Sequence, residues 1–521
     1  MKELLTTKNV FLVVLFLGLF AMAARNVTDP DLWWHLKTGQ FIVAHKSVPR
    51  SDPFSYTRAG APWVAHEWLS EVLLYELERT TGWGGLIAVF AAALCAAFFL
   101  LYLRCGPNVY VAGVATLCAA WATMPVWGVR PQVLSVLLTS LWLLILERSE
   151  RKPKLLWWTL PLTLLWVNLH AGFALGLALS GSFLVAERIE SALGRTQNTP
   201  RLRKMALIFL LDLLLVPLNP NGLRMFWYPI ETLRSAAMQN YIAEWASPNF
   251  HHLEYWPLLL LILSTFAVLG WSRLQVRPRD LLLLLVSLYT GLCSIRLMPL
   301  FVLIAVPLIS KQFGTQFVTW PGTRPRSGAL PRPSMVATRT VLNGTIAAAM
   351  ALFAGVHIAH VVHRQPQAEM QNFPAGAVSF LKAHPAAGAI FNHYDWGGYL
   401  IWKLYPSSRV FIDGRADLYG EQLLREFADT YQFRDHWEQT LRRWNIDRVL
   451  VPADSALATG LRSAAGWTVS YEDAQAVILT SPRPGAVALR LQRNPFLVKP
   501  GLRAPNPHLV TLFEPFAGYY E

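Results

Sequence analysis

Residues 84–103 read GGLIAVFAAALCAAFFLLYL, twenty positions without one charged side chain. An α-helix rises about 1.5 Å per residue, so roughly 20 apolar residues cross the hydrocarbon layer of a bilayer. The stretch reads as a membrane span. Ten similar runs lie on either side of it, at about 9–24, 108–127, 131–147, 154–169, 171–187, 205–218, 256–271, 280–295, 298–312 and 340–362. The expected fold class is therefore mostly α: a polytopic membrane helix bundle of about eleven spans. Several runs are short for a full crossing, and one or two are expected to be re-entrant hairpins. The first, with Lys2 and Lys8 before it and Ala21-Met22-Ala23 at its end, reads as an uncleaved anchor rather than a signal peptide.

The composition agrees with this. Of 521 residues, 54% are apolar and only 15% are charged, where a soluble chain carries about a quarter charged. That excludes a disordered protein. The net charge of +14 suggests nucleic acid only until the bases are placed. With the N-terminus cytoplasmic, twenty of the 46 bases fall on the cytoplasmic side, among them Arg104, Arg148, Arg201, Arg277, Arg279 and Lys311, whereas the four later external loops hold only Arg130, Arg224, Arg234 and Arg296, the long first loop adds six and the external tail sixteen. This is the positive-inside pattern, and it makes the charge a record of topology with no nucleic-acid partner. Cys95, Cys105, Cys118 and Cys293 lie in or beside apolar runs, without the spacing of a metal site or a disulfide framework.

An odd number of spans leaves the C-terminal region outside. The chain divides into a membrane domain, 1–362, with a first external loop at 25–83, and an extracytoplasmic α/β domain, 363–521. The second is marked by four- or five-residue apolar runs at Ala389-Ile390-Phe391, Val410-Phe411-Ile412, Arg448–Val451 and Ala476–Leu479, separated by amphipathic stretches. The Pro-rich segment 313–338 reads as a linker.

Polar residues that cost several kcal/mol in or beside a membrane crowd the external ends. The first loop has Asp29-Pro-Asp31-Leu-Trp-Trp-His35 and His66-Glu67-Trp68-Leu-Ser-Glu71, both mixing aromatic and acidic residues at helical spacing. Asp31 and His35, four apart, share a helix face. Either Asp29 only caps that helix and His35 reaches to the interface, or one carboxylate is a general base and the others position a cation or phosphate. Arg130 and Arg296, at external membrane edges, suit a phosphate or a carboxylate equally. Asn168 and His170 sit in a tight hairpin and serve as turn residues or as ligands. Asp395, in Asn392-His-Tyr-Asp395-Trp-Gly-Gly398, reads first as the N-cap of a helix at 396–404 and second as an acceptor contact. Around Asp413-Gly-Arg415-Ala-Asp417, a local Asp413–Arg415 or Arg415–Asp417 pair is the plain expectation.

A first span followed at once by an acidic pair, then many short spans and an external α/β domain, resembles the GT-C superfamily of polyprenyl-phosphate-dependent glycosyltransferases. The motifs Asp29-Pro-Asp-Leu-Trp-Trp-His-Leu, His66-Glu-Trp-Leu, Val129-Arg-Pro-Gln, Trp166-Val-Asn-Leu-His-Ala-Gly, Leu218-Asn-Pro-Asn-Gly and Arg296-Leu-Met-Pro-Leu-Phe are similar to those of a bacterial multipass branch. That branch is distantly similar to protein O-mannosyltransferases and oligosaccharyltransferase catalytic subunits. The resemblance implies sugar transfer, with inversion, from a polyprenyl-phosphate donor to a glycan, lipid or protein acceptor outside the bacterial plasma membrane. It implies Asp29 or Asp31 as base or metal-binding group, with a divalent cation such as Mg or Mn left open, and Glu67 as a second acid. By location, Arg130 and Arg296 meet the donor phosphate, with His35, His66, Asn168, His170 and Asp395 as further substrate-binding candidates. A lipid-linked-sugar flippase or a non-catalytic assembly protein of envelope glycan synthesis is the alternative. No Gly-rich phosphate loop stands before a helix.

Overall fold

A computed structural model of the protein describes residues 6–192, 194, 199–271, 276–318, 333–385 and 388–481. The described chain forms two compact units, one of 1–27, 77–229 and 246–364, the other of 28–76, 230–245 and 365 onward.

In the first unit each of the eleven apolar runs lies on a helix. Six helices are long and apolar enough to cross a membrane: Trp68–Tyr102, Val109–Val126, Pro131–Arg148, Leu253–Trp271, Ile295–Gly314 and Thr338–Asn372. The helices Thr7–Ala23, Thr159–Leu169, Thr199–Leu215 and Pro278–Cys293 have 17, 11, 17 and 16 residues. Phe173–Ala192 has the length but carries Glu187, Arg188 and Glu190 near its end. Trp68–Tyr102 is broken at Gly82, whose φ of 63° is a left-handed conformation that glycine adopts without strain.

Ion pairs gather the bases of this unit at one end of the bundle. Arg104 pairs with Glu147 at 2.7 Å, and Lys311 approaches the same carboxylate at 3.8 Å. Glu150 pairs with Arg277 at 3.1 Å and with Arg279, and Arg201 binds Glu187 while donating to Ser149 Oγ at 3.1 Å. Each joins the termini of two helices. At the opposite helix ends Asn219 Nδ2 donates to the Val167 carbonyl (2.9 Å), Ile295 N–H to the Ala246 carbonyl (3.0 Å) and Arg25 Nη1 to the Met124 carbonyl (3.3 Å).

The second unit is built on a four-stranded sheet in the order β1-β2-β4-β3. β1 (Ala389–Asn392) lies parallel to β2 (Ile446–Pro452), and β4 (Ala476–Thr480) runs antiparallel to both β2 and β3 (Thr468–Glu472). Helices Gly397–Leu404, Ala416–Tyr431, Trp437–Arg443 and Ala456–Ser463 complete the α/β layer. Val410-Phe411-Ile412, expected as a strand, is not in the sheet. Its backbone is claimed elsewhere: Val410 N–H donates to the Phe54 carbonyl (3.3 Å), Tyr56 N–H to that of Val410 (3.1 Å), and Phe411 N–H to Asn392 Oδ1 (2.8 Å). The first loop thus adds a short bridge to this segment, and residues 28–76 belong to this unit rather than to the bundle. The expected domain end at 521 lies outside the described residues, as does most of the 313–338 linker.

Candidate active site

The second unit brings Asp29, Asp31, His35, His66, Glu67 and Asp395 together. The helix Leu32–His45 begins at an Asp29-Pro30-Asp31 turn in which Asp31 N–H donates to Asp29 Oδ1 at 2.9 Å. Asp31 occupies the N-cap position without a side-chain cap bond. Its Oδ1 instead accepts from Trp34 Nε1 at 3.1 Å. Asp29 is therefore not the helix cap, and its carboxylate shapes the turn. Asp29 is buried, whereas Asp31 is half-buried.

Glycines make the approach to this turn. A β-carbon on Gly398 would lie 2.6 Å from the Pro30 carbonyl oxygen, and one on Gly414 would overlap Asp31 Oδ1. The Asp395-Trp-Gly-Gly and Asp413-Gly-Arg segments close over the turn because they lack side chains there. Asp395 stands in a 3-10 turn, Tyr394–Trp396, and the helix that follows is capped by Trp396 with no side-chain bond. The N-cap reading of Asp395 is thus corrected: the 3-10 turn moves it one residue too far upstream. Its carboxyl is pushed up to about 7, by removal from water and then by the charges of Asp31 and Asp29. Beside it, burial pushes the His393 imidazole down to about 4.

Behind the turn, helix faces interlock. His35 and Gly39 are four apart on one helix, and Glu67 and Glu71 are four apart on the segment that opens the next. Gly39 permits contact with the Glu71 backbone. His35 Nε2 then stands 3.7 Å from Glu67 Oε2 and its Nδ1 3.5 Å from Glu71 Oε1, with all three side chains buried. His66 Nε2 meets Glu67 Oε1 at 2.8 Å. Burial alone would lower the His35 pKa, but Glu71 and Glu67 outweigh it and hold it above the ordinary value. For His66, burial is likewise outweighed by Glu67 and, further off, by Asp417. His35 is buried at 3% exposure, so it does not reach to an interface.

A second buried cluster holds the Asp413-Gly-Arg415 segment. Arg415 forks onto Asp413 through Nε (2.7 Å) and Nη2 (2.6 Å) and donates from Nη1 to Asp52 Oδ1 at 2.7 Å. Asp52 also accepts the Phe54 and Ser55 amides, and Tyr419 donates to Asp413. The local Asp413–Arg415 pair is present; Asp417 is exposed. Asp52 had no motif to mark it.

Arg130, Asn168, His170 and Arg296 belong to the other unit. Arg130 stands at the N-cap of Pro131–Arg148, and Arg296 in the 3-10 turn Ile295–Leu297; both are half-buried. The hairpin pair is built into the turn: His170 Nδ1 accepts from Gly172 N–H (2.9 Å) and meets Ser135 Oγ at 2.8 Å, and Asn168 Nδ2 donates to the Leu164 carbonyl (2.8 Å). Asp52 and Asp212 escaped the sequence reading. Glu71 was signalled only by its four-residue spacing from Glu67. Asp212, inside an apolar run, accepts from Thr159 (2.9 Å) and Thr163 (2.7 Å).

Among the described residues, no group of three or more His, Cys, Asp or Glu is placed so as to hold a metal ion. Asp29 and Asp31 each accept a hydrogen bond within the turn.

The fold is a polytopic membrane helix bundle together with an α/β domain. It matches the archaeal oligosaccharyltransferase AglB from Archaeoglobus fulgidus, solved with an inhibitory peptide and a dolichol-phosphate, with a TM-score of 0.56 at 10% identity, over 91% of this chain and 74% of that one. It also matches an Archaeoglobus fulgidus oligosaccharyltransferase in the apo form, with a TM-score of 0.52 at 11% identity, over 86% of this chain and 70% of that one. The mycobacterial arabinofuranosyltransferase AftD aligns with 91% of this chain at 13% identity and a TM-score of 0.49, and the chain spans only 40% of its length. No protein-family model and no curated sequence matches.

Proposed function

We propose that the protein is a membrane glycosyltransferase that moves a sugar from a polyprenyl-phosphate-linked donor to an acceptor hydroxyl on the extracytoplasmic side, inverting the anomeric centre. The observation that carries this is the convergence of Asp29, Asp31 and Asp395 at a turn enclosed by Gly398 and Gly414. Where carboxylates oppose one another, one keeps its proton and the rest stay ionised. Asp395, raised to about 7 by burial and by the charges of Asp31 and Asp29, is the group that holds a proton up to neutral pH. Asp31 is half-buried and oriented by Trp34, and it takes the role of base.

Asp31 accepts the acceptor's hydroxyl proton, the oxygen forms a bond to the anomeric carbon from the far side, and the bond to phosphate breaks. Polyprenyl phosphate leaves with that electron pair. Arg130 and Arg296 are assigned to the leaving phosphate on the chemistry of their guanidinium groups. No step is routed through a metal. The likeness to an oligosaccharyltransferase solved with dolichol-phosphate supports a lipid-phosphate donor. The gathering of bases at one bundle end supports a cytoplasmic N-terminus and an external second unit.

The test is turnover of labelled polyprenyl-phosphate hexoses and pentoses by the purified protein, with Mg, Mn or chelator, for wild type, Asp29→Asn and Asp31→Asn. Asp31→Asn should lower the rate by roughly 10²–10⁴. Absence of turnover by the wild type under every condition overturns the proposal.

A further inference from the structure

Resting on that reading, we infer that His35 is a positioning residue: a buried imidazolium, clamped by Glu67 and Glu71, seats the Trp34 indole, which aims the Asp31 carboxylate.

The charge follows from geometry. One ring nitrogen of His35 faces Glu67 Oε2 and the other faces Glu71 Oε1, at 3.7 and 3.5 Å. An ionised carboxylate only accepts, and a neutral imidazole donates from one nitrogen alone. At these ion-pair distances a carboxylate oxygen faces each nitrogen of His35, and the protonated ring is the form they favour. The neighbouring pair obeys the same logic: His66 Nε2 meets Glu67 Oε1 at 2.8 Å, and its Nδ1 lies 3.3 Å from the Val64 carbonyl. His66, Glu67, His35 and Glu71 thus alternate imidazole and carboxyl groups in a buried row.

The row ends against the indole. The Trp34 and His35 rings lie 3.6 Å apart between centroids, tilted by 36°, a geometry in which a cation is drawn to the indole face. From its edge the same indole donates to Asp31 Oδ1 at 3.1 Å. A general base misplaced by about 1 Å can lose about 100-fold in rate.

The test separates positioning from mere ion pairing. His35→Gln removes the cation but leaves two buried carboxylates, so it should lower the thermal midpoint as well as kcat. The double variant His35→Gln/Glu71→Gln removes one charge of each sign, and its midpoint should return most of the way. Its kcat should stay roughly 10- to 100-fold down with KM little changed. Trp34→Phe, which keeps a ring but loses the N–H, should cost a similar factor, and adding it to the double variant should cost nothing more. A readout independent of turnover is the Trp34 indole N–H resonance in 15N-tryptophan-labelled protein, assigned by its loss in Trp34→Phe. It should move upfield in the double variant as the bond to Asp31 loosens. An indole resonance that stays in place in the restored double variant overturns the inference, as do multiplicative kcat losses. Absence of wild-type turnover overturns the transferase reading alone, and the resonance still decides the clamp.

Discussion

A β-carbon on Gly414 would occupy the space of Asp31 Oδ1. The loop of the α/β layer and the acidic turn of the first loop are in contact at an atom proposed for proton transfer. Gly414→Ala should therefore displace either the carboxylate or the loop. The expected outcome is a roughly 10- to 100-fold loss of transfer, with an unchanged circular dichroism spectrum. Gly398→Ala, which meets the backbone carbonyl of Pro30 at 2.6 Å, should lower the thermal midpoint as well, because backbone cannot step aside as a side chain can.

Arg415 holds Asp413 and Asp52 in a site where all three are buried. Removing one partner of a buried ion pair leaves the others uncompensated, at a cost of about 3–5 kcal/mol. Arg415→Met should lose that much in denaturant unfolding of the purified protein. Arg415→Lys keeps the charge but not the three-armed fork, and it should fall between wild type and Met.

The Asp395 carboxyl is raised from 3.8 to about 7. A raised acid contributes stability that is fully present below its unfolded value and is lost as pH rises through its folded value. Its share of the stability should therefore decline between about pH 4 and 7, and Asp395→Asn should flatten the thermal midpoint over that window. His393, held down at about 4, works the other way: its contribution is present above about 6.5 and is lost as pH falls through about 4. A midpoint profile of Asp395→Asn that matches wild type from pH 4 to 7 would contradict the first assignment.

Gly39 lets two helical segments touch at the Glu71 backbone. Gly39→Ala should push them apart, costing about 1–3 kcal/mol as an overpacked contact. It should also shift the Trp34 indole resonance, because His35 lies one turn away on the same face.

Much of the bundle was legible because spans are a local property. Every apolar run counted along the sequence forms a helix, since an unbroken apolar stretch must satisfy its backbone hydrogen bonds internally. Short β-like runs were readable for the same reason at 389–391, 448–451 and 476–479, but not at 410–412. That segment has the right side chains, yet Phe54, Tyr56 and Asn392 hold its backbone. Asp29 and Asp31 stood out as acids beside a span; Glu71 and Asp52 did not, as their roles depend on partners from other segments.

The sequence by itself determined the membrane bundle, the separate character of the α/β region and the short list of polar residues out of place near the membrane. Hydrophobic run length and charge counts carry that information residue by residue. Only the tertiary structure decided which of those residues meet. It placed Asp395 beside Asp29 and Asp31, set His35 between Glu67 and Glu71, and built Asn168 and His170 into a hairpin. The physical reason is that these meetings depend on close backbone approach at Gly39, Gly398 and Gly414 and on the buried Arg415 fork. Contacts of that kind join segments far apart in the chain and leave no local periodicity to read.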